Sequence, residues 1–328
     1  SEHRLERVIQ FVDRILLIED EGSFSIGKPE QILAHTDLVP PIVQLSRDLS
    51  LPEIHTTVRE VRRATESIRE IPEKLSVEPE KHPTILRLND VSASYGESKV
   101  LKEIDLEIAS NEILAVMGRN GAGKSSLLKT ILGKLTLDSG DRVLSHNAMK
   151  IGYVPQEPGD ILYKQSIESE CVQSDKDASL TSGTTLGLFK RFLPEVFPAT
   201  HPHDLSEGQR LVLVLAIVIA SNPELLILDE PTRGLDYKAK NILVEILTDF
   251  ISSSDRAVVL ATHDVELAAV IATKIAIIAE GELVTYGGTT DVLLASPAFA
   301  PQVAKVMSPK RWLTVADVIE AVDTRSNG

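Results

Sequence analysis

Gly118-Arg119-Asn120-Gly121-Ala122-Gly123-Lys124-Ser125 lies between an apolar run, Ile113 to Met117, and a stretch from Lys124 to Leu132 whose apolar residues recur at helical spacing. Two glycines with four residues between them, closed by Lys and Ser, form the P-loop pattern, and the flanking strand and helix are the context it requires. The residue types follow from the chemistry. Gly118, Gly121 and Gly123 let backbone N–H groups approach phosphate oxygens, and the N-terminus of the following helix adds positive potential. Asn120 and Ser126 belong to the same cradle, Lys124 reaches toward β- and γ-phosphates as the only side-chain cation expected there, and Ser125 can ligate Mg²⁺. A glycine turn that merely joined strand to helix would have no packing reason for a Lys-Ser pair at this spacing.

Further along, Leu225-Leu226-Ile227-Leu228-Asp229-Glu230 is an apolar strand that ends in two carboxylates. In parallel α/β sheets the ligand site lies at the carboxyl ends of the strands, so both acids are expected to face the phosphates. Asp229 would hold Mg²⁺ through water, and Glu230 would orient or deprotonate the attacking water. Alone, two such acids are ordinarily a solvated turn or a helix cap; the P-loop gives them something to act on. Around these motifs, Ile85, Leu86 and Leu88 and the alternation from Val100 to Ile108 predict half-buried antiparallel strands. Helices (Lys124–Leu132, Gln209–Ser221, Lys238–Phe250) then alternate with strands (Lys150–Val154, Leu225–Leu228, Ala257–Ala261, Lys274–Ala279). That order predicts an α/β fold: a mainly parallel sheet covered by helices, with a small antiparallel sheet in front.

Between the two motifs, Leu205-Ser206-Glu207-Gly208-Gln209 opens a long apolar helix. With this run the chain resembles the ABC ATPase superfamily, whose signature motif is similar but has Gly in place of Glu207. Other marks of the superfamily follow in order: Tyr95 upstream, Gln156 in Tyr-Val-Pro-Gln, Gly234-Leu235-Asp236 after the second acidic strand, and His263 in Ala-Thr-His-Asp. Singly each is weak, since a loop Tyr, a lone Gln and a His at a strand end are mostly packing, solvated or capping residues. The resemblance implies an ATPase with ATP and Mg²⁺ as cofactors and a helical subdomain. Tyr95 would stack on adenine, and Glu230, His263 and Gln156 would serve catalysis, with Ser125, Gln156 and Asp229 at the metal. It also implies two such domains meeting head to tail, so that the signature Ser206 and Gly208 of one close over the phosphates held by the other; Gln209 and Asp236 are expected among the nucleotide-binding residues.

The run Ser296-Pro-Ala-Phe-Ala-Pro301-Gln-Val303, then Arg311-Trp-Leu-Thr-Val315, resembles the ATPase subunits of energy-coupling factor (ECF) importers, particularly forms with two ATPase domains fused in one chain. So does Asp229-Glu-Pro-Thr-Arg-Gly-Leu-Asp236. That resemblance implies a transmembrane coupling subunit and a substrate-capture membrane subunit as partners, a place on the cytoplasmic face of the membrane, and import of a vitamin, a precursor or a metal ion. The segment from Gln156 to Glu170, with Asp160, Glu168 and Glu170, would be the acidic face that receives the coupling subunit, or an ordinary solvated face. The alternative, a soluble ABC ATPase acting on ribosomes or nucleic acid, resembles the chain in its P-loop and signature, but such proteins carry coiled coils or basic arms, and neither heptads nor a basic block occurs here.

Bulk properties agree with this reading. A net charge of -14 opposes affinity for nucleic acid backbones, which needs clustered Lys and Arg. The single cysteine, Cys171, cannot form an internal disulfide, and neither a secretory signal nor an apolar run of spanning length is visible. The chain divides into residues 1–50, a linker at 51–83 rich in charge and proline, the ATPase domain at 84–290, and a C-terminal helical extension at 291–328. Within the linker, Val58, Val61, Ala64, Thr65 and Ile68 also fit one amphipathic helix.

Residues 1–50 repeat the end of the ATPase domain. Glu2-His3-Arg-Leu-Glu6 aligns with Thr262-His263-Asp-Val-Glu266, Arg14–Ile18 with Lys274–Ile278, Gly22 with Gly281, Ile32-Leu33 with Val292-Leu293, and Pro41-Ile-Val43 with Pro301-Gln-Val303. Thr57-Val58 answers Thr314-Val315. Such a nearly constant register marks a true repeat. It predicts that residues 1–50 are the C-terminal tail of a first ATPase domain, separated from its sheet and less protected than the body. The composite site would then be completed by that missing half or by a second copy of this chain.

Overall fold

The computed structural model describes residues 5–18, 23–36, 39–73, 81–252 and 255–326. Short elements come first, none with enough apolar residues for a core of its own. They are α1 (Leu5–Val8), the hairpin β1 (Ile15–Ile18) and β2 (Phe24–Gly27), α2 (Pro29–Leu33), α3 (Pro41–Asp48) and α4 (Val58–Ala64). Thr57 caps α4 by accepting the Glu60 N–H at 3.2 Å.

The body begins with β3 (Thr84–Tyr95) and β4 (Ser98–Ala109), continues through β5 (Glu112–Met117), the P-loop and α5 (Lys124–Ile131), and then β6 (Leu137–Leu144) and β7 (Ile151–Val154). A helical stretch follows: α6 (Ile167–Asp177), α7 (Thr184–Phe192) and α8 (Glu207–Ala220). After it come β8 (Leu225–Asp229), α9 (Tyr237–Ser252), β9 (Ala257–Ala261), α10 (Val265–Ile271), β10 (Lys274–Ala279) and β11 (Glu282–Gly288). The chain closes with α11 (Thr289–Ala295), α12 (Gln302–Met307) and α13 (Val315–Ser326).

The main sheet has the order β11-β10-β5-β9-β8-β7, parallel except for β11. A three-stranded antiparallel sheet, β4-β3-β6, stands apart from it. Alternation along each strand assigns its side chains to two cores. Ile113, Ala115 and Met117 of β5, with Leu226, Leu228, Ile275 and Ile277, pack against the α6–α10 side. Leu114 and Val116, with Ile227, Val259, Ala276 and Ile278, pack against α5 and the antiparallel sheet. The fold is the expected α/β P-loop architecture, with the carboxyl ends of β5, β9 and β8 side by side.

A third core joins the two ends of the chain. Ile42, Val43 and Leu45 of α3 and Val61 of α4 are buried with Val303, Val306, Met307, Trp312 and Val318. The amphipathic spacing in residues 58–68 forms not one helix but α4 and a 3₁₀ turn (Glu66–Glu70), with Val61 and Thr65 buried and Ala64 facing solvent. Within residues 1–50, α3 lies as deep as the body's strands. His3 and Gly22 of the repeat lie outside the described residues.

Arg62 fastens this third core by donating through Nη1 to the carbonyls of Val306 (2.8 Å), Ser308 (2.8 Å) and Lys305 (3.2 Å). Hydrogen bonds from a charged donor contribute more than neutral ones, so Arg62→Ala is expected to cost about 2 kcal/mol. A lower denaturant midpoint for the unit that contains Trp312 would register it; an unchanged midpoint would make these bonds solvent-equivalent.

Candidate functional site

The P-loop conformation follows from its glycines. Gly118 has φ 153°, and a Cβ there would sit 2.3 Å from the Ile278 carbonyl, so no larger residue fits beneath β10. Gly123, at φ 111°, turns the chain into α5 with the Val100 carbonyl 3.0 Å from where its Cβ would be. The front hairpin therefore rests directly on the loop. Lys102 N donates to the Gly281 carbonyl at 2.8 Å, which ties β4 to the β10–β11 turn.

At the end of β8 the backbone turns sharply. Glu230 adopts φ 51°, a left-handed conformation that costs a non-glycine residue about 1 kcal/mol or more and clusters at functional sites. Its N–H still bonds the Ala261 carbonyl at 2.9 Å, so the turn is anchored to β9. The side chain meets an ammonium and an imidazole. Lys124 Nζ lies 3.3 Å from Oε1, and His263 Nδ1 lies 2.5 Å from Oε2. Lys124 also donates to the Gly118 carbonyl at 3.0 Å and is almost wholly buried.

Charge follows this geometry. Burial by itself raises the Glu230 carboxyl, but the hydrogen bond and charge of His263 together with the Lys124 ammonium outweigh it and hold the group below the ordinary glutamate value. Its neighbour behaves oppositely. Burial pushes the Asp229 carboxyl up, the Ser125 hydrogen bond opposes this, and the charge of Glu230 adds to it. Ser125 Oγ donates to Asp229 Oδ1 at 3.4 Å. A carboxyl group and a hydroxyl at the mouth of a phosphate cradle are oxygen donors suited to a hard divalent cation, whose charge would offset the burial that raises Asp229, so these residues fit Mg²⁺.

A cleft of about 820 Å³ collects Asn120, Gly121, Gly123, Lys124, Ser125, Ser126, Gln156, Glu230 and His263. Three cations, Lys99, Lys102 and Arg233, also line it. Lys124 is therefore not the only side-chain cation at the cleft, because the front hairpin and the turn after β8 fold over it. The sequence carried a signal for them: Lys99 and Lys102 sit just beyond Tyr95, and Arg233 lies within the run after Glu230.

The remaining expected site residues lie outside the cleft lining. Tyr95 ends β3, half exposed, with Lys129 Nζ 5.5 Å from its ring centroid. Ser206 caps α8 by accepting the Gln209 N–H at 3.2 Å while Gln209 Oε1 accepts from Ser206 N–H, a reciprocal capping box. Gly208 packs on α9, where a Cβ would meet that of Ala239 at 2.6 Å. Asp236 caps α9, accepting the Ala239 N–H at 2.7 Å. One expected surface residue is misplaced: Glu170 is buried and its Oε1 accepts the Lys164 N–H, which removes it from the acidic face; Asp160 and Glu168 remain exposed.

Residues 101–233 match the family model described as ABC transporter. The body of this chain has the ABC ATPase P-loop fold. The family hydrolyses ATP. A Streptomyces avermitilis protein provisionally named an ABC transporter ATP-binding protein is 40% identical over 365 residues, covering 98% of this chain and 65% of the relative. A similarly named Streptomyces coelicolor protein is 39% identical over 366 residues with the same coverage. The chain thus spans less than two thirds of these relatives.

Among solved structures, cbiO1 of Clostridium perfringens, part of the ABC transporter complex cbiONQ, shares the ABC domain's fold with a TM-score of 0.61 at 24% identity, covering 70% of this chain and 97% of that one. The dimeric ATP-binding cassette MJ0796, bound to ADP and Pi, gives 0.53 at 23% identity, with 62% and 99% covered.

Proposed function

We propose that this chain is the ATP-hydrolysing part of an ECF-type ABC importer, with the work of hydrolysis done at the Lys124, Asp229, Glu230 and His263 constellation. The observation that carries the reading is the strained Glu230 held between Lys124 and His263 at the head of the P-loop. Glu230 takes the proton of the attacking water, His263 orients it, and Lys124 with the loop N–H groups binds the phosphates. Ser125, Asp229 and Gln156 hold Mg²⁺, which when bound supplies charge neutralisation at the phosphates. Ser206, Gly208, Gln209 and Asp236 act across the dimer on the other cassette's nucleotide, in keeping with their absence from the lining of the chain's own cleft.

The importer type rests on the Ser296–Val303 and Arg311–Val315 runs, and the partners are a transmembrane coupling subunit and a substrate-capture subunit at the cytoplasmic face of the membrane. No helix among the described residues is long and apolar enough to cross a bilayer, so any passage for the substrate belongs to those partners. The cargo is a micronutrient: a vitamin, a precursor or a metal ion. Residues 1–50 are the tail of a first cassette. Turnover should be weak and concentration-dependent for the chain alone and rise on reconstitution with the neighbouring membrane subunits. A rate independent of both would defeat the reading.

Tyr95 supplies the adenine stack. Stacking contributes about 1–3 kcal/mol and discriminates little between bases. Tyr95→Ala is therefore expected to weaken ATP and GTP alike by about tenfold while Tyr95→Phe is silent, as read by fluorescent-nucleotide titration. Undiminished affinity in the alanine variant would assign the base to another residue.

A further inference from the structure

Lys240 stands where helix electrostatics disfavours a lysine. It lies in the first turn of α9, at the end of the helix that carries partial positive charge, and no acidic residue shares that turn. Lys238 in the same turn is exposed, as a lysine there ordinarily is. Lys240 is not: only 15% of its side chain is exposed. A buried ammonium is kept in such a place only where specific partners hold it. The Tyr237 ring, on the same turn, has its centroid 5.4 Å from Nζ, and Asp264 Oδ2 lies 2.7 Å away.

Asp264 is the residue after His263, and its atoms fix the turn in which His263 sits. Its N–H donates to Thr262 Oγ1 at 3.0 Å, and its Oδ1 accepts the Leu267 N–H at 3.1 Å, which caps α10. Thr262, wholly buried, donates its own N–H to the Val116 carbonyl of β5 at 3.0 Å. Both neighbours of His263 are thus pinned, Thr262 from the sheet and Asp264 from α10, while the imidazole meets Glu230. With Oδ1 committed to the cap, Lys240 is the partner of the buried second oxygen and fixes the rotation of the carboxylate. At its backbone Lys240 belongs to the turn that Asp236 caps, since its N–H donates to the Asp236 carbonyl at 3.0 Å. One buried ion pair therefore ties the start of α9, which follows the turn after Glu230, to the start of α10, which follows His263.

We propose that Lys240 is a positioning residue for ATP hydrolysis, which acts through Asp264 to set the orientation of His263 toward Glu230. The inference rests on the roles proposed above for Glu230 and His263. Lys240 is absent from the lining of the nucleotide cleft, so its contribution falls on the chemical step and leaves ATP binding alone. The contact it supports is short, 2.5 Å from His263 Nδ1 to Glu230 Oε2, and a shift of the ring by about 1 Å would break it. Misplacement on that scale costs up to about a hundredfold in rate. An arginine at 240 would keep the positive charge beside Asp264, whereas a methionine keeps the apolar stem and loses the link.

Steady-state kinetics and melting of the 328-residue chain, measured on the same preparations, test this. Lys240→Met is expected to lower kcat about tenfold or more while KM for ATP stays within about twofold of the parent. Lys240→Arg should retain most of the rate. Lys240→Met alone leaves Asp264 buried without its counter-charge, so its melting temperature should fall. Lys240→Met combined with Asp264→Asn removes both charges while the amide oxygen still caps α10; melting should recover and the rate should stay low. A rate that recovered in step with melting would reduce the ion pair to support of the fold and overturn the proposal. In a His263→Ala background Lys240→Met should lower kcat no further, because the group it positions is gone. Losses that multiply in that background would overturn the proposal, as would an unchanged kcat in Lys240→Met. His263→Ala also separates this inference from the site assignment. A silent His263→Ala defeats both, whereas a damaging His263→Ala beside a silent Lys240→Met defeats the positioning role alone.

Discussion

Glu230→Gln is expected to lower ATP turnover by about a thousandfold while ATP binding is kept and tightened. General base catalysis contributes on the order of 10²–10⁴, and the amide keeps the glutamate's shape while losing the ability to accept a proton from water. The geometry makes the substitution local. The positive φ of residue 230 is fixed by its N–H bond to Ala261 and by the turn that follows, so Gln inherits the same backbone. Loss of the carboxylate also removes a negative charge that faces the phosphates and is held in its ionised form by His263 and Lys124. Lys124 is then freed from its ion pair to serve the nucleotide alone, hence the tighter binding. Single-turnover phosphate release and nucleotide titration on the same preparation separate the two effects. Hydrolysis within a few-fold of the parent would remove Glu230 from the role of base.

The parts of the fold legible in the sequence are those determined by local chemistry or by complete burial. Leu225 to Leu228 and Ala257 to Ala261 read as central strands because both faces are covered, which makes their apolar runs continuous. The P-loop was legible because Gly118 and Gly123 meet steric demands that few other sequences share. Strand β6 was not. Leu-Asp-Ser-Gly-Asp-Arg-Val-Leu is an edge strand with one face in solvent, and its Gly140, at φ 82°, looks like a turn. Burial of Glu170 depends on the Lys164 backbone N–H turning to meet it, which charge patterning does not reveal. Lys99 and Lys102 reach the cleft only because β4 folds across the P-loop, a contact between sheets. The third core was beyond reach for a similar reason: Val61 and Val306 share it from opposite parts of the chain, although the spacing around Val61 predicted a helix with a face to bury.

Lys124→Ala should produce the largest loss of nucleotide affinity. In the fold the ammonium is already positioned: almost wholly buried, bonded to the Gly118 carbonyl and 3.3 Å from Glu230, it needs little reorganisation to meet a phosphate. A charge-assisted hydrogen bond contributes about 1.5–3 kcal/mol, so loss of this one should weaken ATP binding by roughly tenfold to a hundredfold. The loss stays within that range because Lys99, Lys102 and Arg233 also line the cleft and keep some attraction for polyphosphate. Calorimetric titration of ATP, ADP and AMP supplies the control, since AMP offers no β- or γ-phosphate for Lys124 and should bind the variant and the parent alike. The variant also removes the Lys124 ammonium from Glu230 and leaves the His263 hydrogen bond, so the carboxyl should rise toward the ordinary value. Equal melting temperatures at neutral pH would show that the fold tolerates this, because the hydrogen bond to His263 persists. Parallel losses for ATP and AMP would point to collapse of the loop, and an unchanged ATP affinity would mean that the loop N–H groups hold the phosphates without the lysine.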